Sequence, residues 1–203
     1  MASFLLLRNA NFYEYTNMKF ILGKKLGMTT IYSADTGALN VSLVECPANK
    51  VSLVRSEEKD KYAAIQLEIQ KTKNKVFKKE FRIKNSELKA GETIGVEIFS
   101  VGDIVNVSGT SKAKGFQGVV KRHGFKGAPK SHGHKHDLRA PGSIGAGFPE
   151  HVIKGKRMAG RMGGTRATSQ NVKVVHIDKE KNLIGLKGAI PGIPGGIVEI
   201  VSK

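Results

Sequence analysis

SGTSKAKGFQGVVKRHGFKGAPKSHGHKHDLRAPGSIGAGFPEHVIKGKRMAGRMGGTRATSQ is the sequence of residues 108–170, which we call the basic segment. It carries 13 Lys or Arg against two acids, Asp137 and Glu150, with 13 of the chain's 24 glycines and five of its six histidines. Large aliphatic side chains are sparse in it, so it cannot bury enough apolar surface to offset the entropy of ordering its backbone. We therefore predict that it is either disordered or ordered by a polyanion outside the chain.

The charge of the whole chain is concentrated in this segment. The 203 residues carry a net charge of +17, whereas the 140 residues outside the segment have the composition of an ordinary globular domain. This distribution favours a nucleic acid as partner over an anionic membrane, and both over a merely solvated cationic surface. No apolar run approaches the roughly 18 residues of a membrane span, so no membrane partner is predicted.

Short β-strand patterns lie on both sides of the basic segment. They comprise two strands around Gly23–Gly27, then 41–46, 51–55, 62–70, 94–99 and 103–108, and after the segment 171–177, 183–187 and 197–201. A turn is predicted at Asp35–Gly37. So many short strands must close into a barrel or a sandwich to hide their edges. We predict a mainly β body, residues 18–107 and 171–203, with the segment 108–170 leaving and returning as an arm.

Two further regions have their own predictions. Residues 1–17 are expected to be an unordered N-terminal extension, and Met18 is a candidate for the true start. Residues 56–93 are expected to be a small α/β insertion. In it, 57–61 is a charged turn, 71–84 fits helix or strand equally, and 85–87 suggests a short turn or one-turn helix.

Cations separated by glycines make the basic segment suited to folded RNA. Glycine lets the backbone approach phosphates closely, and arginine binds phosphate bidentately and stacks on bases. The segment lacks a recognition helix for a DNA major groove and any zinc-finger spacing. The predicted RNA-binding residues are Lys112, Lys114, Phe116, Lys121, Arg122, His123, Lys126, Lys130, His132, Arg139, Ser143, Lys154, Lys156, Arg157, Arg161 and Arg166.

Other chemistries are weaker interpretations. Alternate histidines in His132-Gly-His134-Lys-His136 could chelate a metal, but the surrounding cations oppose one. The glycines of 142–147 have neither the strand nor the helix of a dinucleotide loop. Most carboxylates are predicted in the body and most histidines in the arm, so no catalytic set is expected. Cys46 is expected to be a buried structural thiol. We predict no enzyme activity, cofactor, metal or small-molecule substrate.

Long motifs in the chain resemble a known family. They are FILGKKLGM at 20–28, VSGTSK at 107–112, KGFQGVVKRHGF at 114–125, SHG at 131–133, RAPGSIG at 139–145, KGKRMAG at 154–160 and LKGAIPG at 186–192. On these motifs the chain resembles the large-subunit ribosomal protein L-three family, in its bacterial or organellar form, over about residues 18–203.

The resemblance implies a closed β-barrel like the second domain of translation elongation factors, with an arm buried in large-subunit ribosomal RNA. It implies that 114–123 and 139–145 contact RNA, and that 154–166 forms the return path and the tip, near the peptidyl-transferase centre. It also implies an early role in subunit assembly, neighbouring ribosomal proteins as partners, and a cytoplasmic, ribosome-bound location. Arg161 stands where many bacterial members carry a methylated glutamine, so that modification is not expected here.

The runner-up hypothesis is a dissociable RNA chaperone or translation factor with a similar barrel. Such a factor usually needs a nucleotide module, for which the sequence has no motif. The two hypotheses differ in salt resistance, because each phosphate contact adds to the salt dependence of binding.

Overall fold

The computed structural model describes residues 18–33, 37–83 and 88–203 and is mainly β, with few helices. The expectations for the N-terminal extension, for the turn at 35–37 except Gly37, and for the turn at 85–87 lie outside these residues. The elements are β1 (Phe20–Ser33), β2 (Gly37–Glu45), β3 (Asn49–Arg55), α1 (Glu57–Asp60), β4 (Ala64–Thr72), β5 (Lys75–Arg82), β6 (Thr93–Ile94), β7 (Ile104–Thr110), β8 (Phe116–Gln117), α2 (Val119–His123), β9 (Gly160–Arg161), β10 (Arg166–Asp178), β11 (Leu183–Lys187) and β12 (Ile197–Ser202).

Six strands form a closed ring in the order β1-β12-β7-β10-β11-β2, and β2 pairs back onto β1. Because every strand of a ring has two neighbours, no edge is left for pairing with another chain. Strands that precede the basic segment (β1, β2 and β7) and strands that follow it (β10, β11 and β12) are interleaved in this ring. The two parts of the chain therefore complete one sheet.

The first strand differs from the sequence prediction. The two short strands expected around Gly23–Gly27 are one strand of 14 residues, β1, with an irregularity between Lys25 and Gly27. Residues 20–24 of β1 pair with β12, and the pairing with β2 begins at Lys24 and continues past the irregularity to Ser33. Gly23 lies inside this strand. A Cβ at this position would overlap Cγ1 of Val44 and lie 2.6 Å from Sγ of Cys46, so a larger residue would not fit. This glycine thus serves close packing inside a strand, where the sequence suggested a break.

The interior of the ring is apolar, as alternation along the strands requires. The fully buried residues Ile21, Val44, Val107, Ile184 and Ile200 lie in one cluster with their neighbours. Cys46 belongs to the same cluster, and burial raises the pKa of its thiol. A thiol held protonated in an apolar core is inert, in agreement with the structural role predicted for it.

A second sheet, in the order β5-β4-β3-β6, packs on its own apolar cluster, which includes Ile65, Leu67 and Phe81. The region for which helix and strand were both open contains the strand β5, and the charged turn at 57–61 contains the one-turn helix α1. On this sheet Glu80 accepts hydrogen bonds from Arg55 Nε at 2.9 Å and from the Tyr62 hydroxyl at 3.1 Å.

The prediction of a strand at 94–99 is wrong. Only Thr93–Ile94 pair as a strand, and Val96–Ile98 form a 3₁₀ turn. In a 3₁₀ turn residues three apart lie on the same side. Val96 and Phe99 therefore both enter the ring core, with exposed fractions of 1% and 3%. Burial of these two side chains outweighs the local preference for a strand.

The corner at 188–196 is held by a buried cation. Lys25 Nζ donates to the carbonyl oxygens of Ile190 at 2.8 Å and Gly192 at 3.2 Å, and only 8% of the residue is exposed. A turn rich in glycine and proline has few main-chain partners of its own, so these carbonyls are satisfied by the ammonium group.

The described residues fall into two compact units. The body unit comprises the described residues up to Gly109 together with Ala167–Lys203, and it contains both sheets described above. The arm unit comprises Thr110–Arg166. All of the predicted RNA-binding residues lie in the arm unit.

Candidate nucleic-acid interface

The outgoing and returning chains of the arm unit run side by side as a stem. Phe116 pairs with Arg161 and Gln117 with Gly160 in the β8–β9 ladder. Further along, the main-chain N–H of Lys114 donates to Met162 at 2.9 Å, and that of Met162 donates to Gly115 at 2.9 Å. The stem thus places cations that are about 50 residues apart in sequence on adjacent chains: Lys112 and Lys114 on one, Arg161 and Arg166 on the other.

The base of the stem depends on a glycine. Ser111 N–H donates to Thr165 at 2.9 Å, and Gly164 N–H donates back to Ser111 at 3.2 Å. Gly163 adopts φ +71°, and a Cβ there would overlap the carbonyl oxygen of Lys112. Both the left-handed backbone and the close approach of the two chains therefore require glycine at 163.

A short helix, α2, lies next to the stem, where the sequence prediction contained no helix. Gly118 precedes it, and Gly124 ends it in the left-handed conformation, with its N–H bonded to Val120. Glycine adopts that conformation without the penalty of a Cβ, and this is a common way for a helix to end. The helix has five residues and ends in three basic ones, Lys121, Arg122 and His123.

Two of these basic residues have partners within the arm unit. Arg122 Nη1 donates to the carbonyl oxygen of Met158 at 2.6 Å, and Nε2 of His123 donates to the same oxygen at 3.0 Å. The guanidinium of Arg122 also occupies the space beside Gly160, where a Cβ would lie 2.7 Å from Nη1. Both side chains are half-buried, so they join α2 to the returning chain.

The other fourteen predicted residues are exposed. They include the cations at 112, 114, 121, 126, 130, 139, 154, 156, 157, 161 and 166, and Phe116, whose side chain is 76% exposed. Lys135, which lies between His134 and His136, was not among the predicted residues, yet it is exposed in the same way. Its signal in the sequence was the same as for the others, a cation in the glycine-rich basic segment.

The scarcity of apolar residues is visible in the packing. Within Thr110–Arg166, all of which the structure describes, Val119 is the single buried hydrophobic residue. Phe148 is 85% exposed and Ile153 is 64% exposed. The arm unit is held by main-chain hydrogen bonds and glycine turns, and it leaves aromatic and cationic side chains available to a partner.

The described residues give no sign of two other kinds of site. Among them, no three His, Cys, Asp or Glu side chains come together in a group that could hold a metal ion. In the same part of the chain, no helix is long and apolar enough to cross a membrane.

Comparison with known proteins supports the family resemblance indicated by the sequence motifs. The family model described as Ribosomal protein L3 matches residues 43–190, which include the whole arm unit. Three proteins named large ribosomal subunit protein uL3 are similar over most of their length. The one from Thioalkalivibrio sulfidiphilus is 42% identical over 200 residues, covering 88% of this chain and 94% of that protein.

The second relative, from Vibrio cholerae, is 43% identical over 198 residues, covering 88% of this chain and 95% of its own length. The third, from a Roseiflexus species, is 44% identical over 199 residues, covering 89% of this chain and 95% of its own length. These matches extend across both units of the structure. The chain belongs to the ribosomal protein L3 family.

Proposed function

We propose that this protein is a structural constituent of the large ribosomal subunit that binds large-subunit ribosomal RNA directly through its arm unit. The observation that carries the proposal is membership of a family whose relatives are named as large-subunit proteins, in a chain whose positive charge is concentrated in one unit. Ribosomal RNA and neighbouring ribosomal proteins are then its partners, and the translating ribosome, in the cytoplasm, is its location.

The exposed cations are the proposed RNA contacts. Lysine and arginine side chains that neutralise phosphates release bound counterions, which makes binding strong and dependent on salt. The glycines at 115, 124, 127, 142 and 155 have positive φ, so the main chain can also turn close to phosphates. Arg122 and His123 act mainly inside the protein and hold α2 against the returning chain. The other fourteen predicted residues face the RNA.

The proposal includes finer points that rest on the family resemblance. The strand ring would be a barrel like the second domain of translation elongation factors, and its closed strand order supports this. The segment 154–166 would approach the peptidyl-transferase centre, and the protein would join the subunit early in assembly. Its role would be structural, without a catalytic activity of its own.

Retention on the subunit at high salt tests the proposal against a dissociable chaperone or factor. The chain would be supplied as the sole copy in a bacterial host, and subunits would be sedimented through sucrose at increasing salt. We expect one copy per large subunit that stays bound after a high-salt wash. Release of the protein into the supernatant, or its absence from the large subunit, would contradict the proposal.

The part played by the arm unit is tested by a matched pair of triple variants. Replacing Lys154, Lys156 and Arg157 by glutamine should lower the salt slope of binding to large-subunit RNA by about 2, since each phosphate contact adds about 0.7–0.9. The control replaces Lys59, Lys61 and Lys179 by glutamine. These lysines are exposed, belong to the body unit and adjoin acids in sequence. Equal loss in both variants would show that net charge, rather than the arm unit, governs binding.

A further inference from the structure

An open cavity of about 580 Å³ lies within the arm unit, in the chain between Phe125 and Gly142. Its volume is within the range of about 300–1,000 Å³ that bound small molecules and cofactors occupy. Phe125, Lys126, His134, Asp137 and Pro141 are among the residues that line it. The cavity therefore combines a flat aromatic ring with a carboxylate, an imidazole and an ammonium group.

A main-chain hydrogen bond joins the two sides of the cavity, from Ala128 N–H to the carbonyl oxygen of Leu138 at 3.1 Å. On one of these sides, Ala140 N–H donates to the carbonyl oxygen of Asp137 at 3.1 Å and closes a turn. Gly127 has φ +75°, and a Cβ there would overlap the carbonyl oxygen of Leu138. Because these contacts are made by the main chain, substitution of the side chains that line the cavity should leave them in place.

Phe125 is positioned by its neighbours. Its ring centroid lies 6.1 Å from that of His123, whose Nε2 is bonded to the Met158 carbonyl. The residue is half-buried, so part of its ring is covered and part is open to the cavity. A supported ring of this kind is a suitable platform for a planar base.

Asp137 is an unusual residue in this environment. It and Glu150 are the two acids of the arm unit, among 13 basic residues of the basic segment. Nevertheless, no cation in the described part of the chain lies within salt-bridge distance of its carboxylate. A carboxylate repels phosphate, but its oxygens can accept hydrogen bonds from donor groups on a base.

We propose that this cavity, which we call the base pocket, receives one unpaired guanine base of the ribosomal RNA. The ring of Phe125 stacks on the base, and the two oxygens of Asp137 accept from guanine N1–H and N2–H. His134 donates to guanine O6, and Lys126 neutralises the adjoining phosphate. The inference rests on the proposed function, since it specifies how the arm unit recognises its RNA.

The carboxylate favours guanine over the other bases. An ionised carboxylate only accepts hydrogen bonds. The pairing edge of guanine has two adjacent donors, N1–H and N2–H, which match its two oxygens. Adenine and cytosine have one exocyclic amino donor next to a ring nitrogen acceptor, which would face the second oxygen and repel it. Uracil has a single ring N–H between two carbonyl oxygens.

Chemical probing of assembled large subunits tests the base pocket. Kethoxal reacts with N1 and N2 of guanine, the atoms that Asp137 would cover. The variants are Asp137→Asn, which replaces one acceptor by a donor at the same size, and Phe125→Leu, which keeps an apolar side chain without the ring. The control is Glu150→Gln, which changes the other acid of the arm unit, outside the pocket. Mass spectrometry confirms one copy of each variant per subunit.

We expect one guanine, protected in subunits with the parent protein, to become roughly tenfold more reactive with both pocket variants and to stay protected with Glu150→Gln. An unchanged kethoxal pattern in subunits that contain the variants would overturn the base pocket while leaving RNA binding intact. Increased reactivity confined to an adenine, cytosine or uracil, read with base-specific reagents, would also overturn it. If the parent protein is absent from the subunits, the proposed function fails, and the base pocket fails with it.

Discussion

Arg122 and Met158 are joined by a hydrogen bond of 2.6 Å, from Nη1 to the main-chain carbonyl oxygen, although 36 positions separate them in the chain. His123 donates to the same oxygen, so one carbonyl group connects α2 with the chain that returns toward β9. In a unit with one buried hydrophobic residue, Val119, polar contacts of this kind carry much of the cohesion.

Replacing Arg122 by alanine should loosen the stem without unfolding the body unit. A hydrogen bond from a charged donor contributes about 1.5–3 kcal/mol, and partial exposure of the side chain places this one near the lower limit. Hydrogen exchange at the amides of β9 and Met162 should therefore become about tenfold faster. The neighbouring exposed Lys121→Ala is the control. Equal acceleration in both variants would show that loss of positive charge, rather than of the hydrogen bond, is responsible.

Gly163 and Gly164 have similar backbone conformations but differ in the space available for a side chain. Both have positive φ, +71° and +67°. A Cβ at 163 would overlap the Lys112 carbonyl oxygen, whereas a Cβ at 164 would lie 3.5 Å from Cβ of Ala113. Alanine at either position incurs about 1–2 kcal/mol of left-handed strain. Only Gly163→Ala should also separate the two chains of the stem, which NMR would detect as loss of contacts between residues 111–115 and 162–165.

The sequence predicted the strands of the body well wherever apolar alternation and a turn signal coincided, as at β2, β3, β11 and β12. It failed where long-range packing reverses a local signal. The sequence suggests a break at Gly23, but its missing side chain leaves room for Val44 of β2 and for Cys46, which follows β2. The pattern at 94–99 fits a strand, but the ring core needs both Val96 and Phe99 on one side.

The candidate interface was predictable as a set of exposed cations because charge and glycine content are local properties. The contacts inside the arm unit could not be predicted from the sequence. Whether Arg122 faces RNA or the carbonyl of Met158 depends on the return of the chain 36 residues later. The pairing of Phe116 with Arg161 likewise depends on the register of the stem, for which two-residue strands leave no periodic pattern.

Stability at low pH should depend on Glu80. Hydrogen bonding to Arg55, with a smaller contribution from Tyr62, holds the pKa of this carboxyl below its ordinary value of 4.5. A carboxyl whose pKa is lower in the folded chain stabilises the fold above its unfolded pKa, and this contribution is lost as pH falls through the folded pKa. Glu80→Gln should therefore lower the urea midpoint at pH 7, and its difference from the parent should shrink toward pH 3.

The matched control for this titration is Glu97→Gln, at an exposed position of the body unit. It should leave the pH dependence of the urea midpoint as in the parent. If the Glu80→Gln protein keeps the parent's full loss of stability between pH 5 and pH 3, other carboxyls account for the acid sensitivity.

The thiol of Cys46 should report on opening of the strand ring. It is fully buried, and burial raises its pKa, so little of the reactive thiolate forms near neutral pH. We expect negligible reaction with a disulfide reagent at pH 8 in the native protein, and stoichiometric reaction in urea across the same transition that circular dichroism follows. Rapid labelling without denaturant would mean that the ring opens locally around β2.

The pairing of β1 with β12 has a consequence for biosynthesis. Phe20 is the register partner of Val201, so the first strand of the ring is bonded to the last. During synthesis on a ribosome the ring cannot be completed until β12 has emerged from the exit tunnel. Thr110–Arg166 emerge well before that point. The nascent protein therefore exposes its cationic unit to other molecules while the ring of the body is still incomplete. A chaperone or RNA that bound at that stage would bind a protein whose sheet is still open.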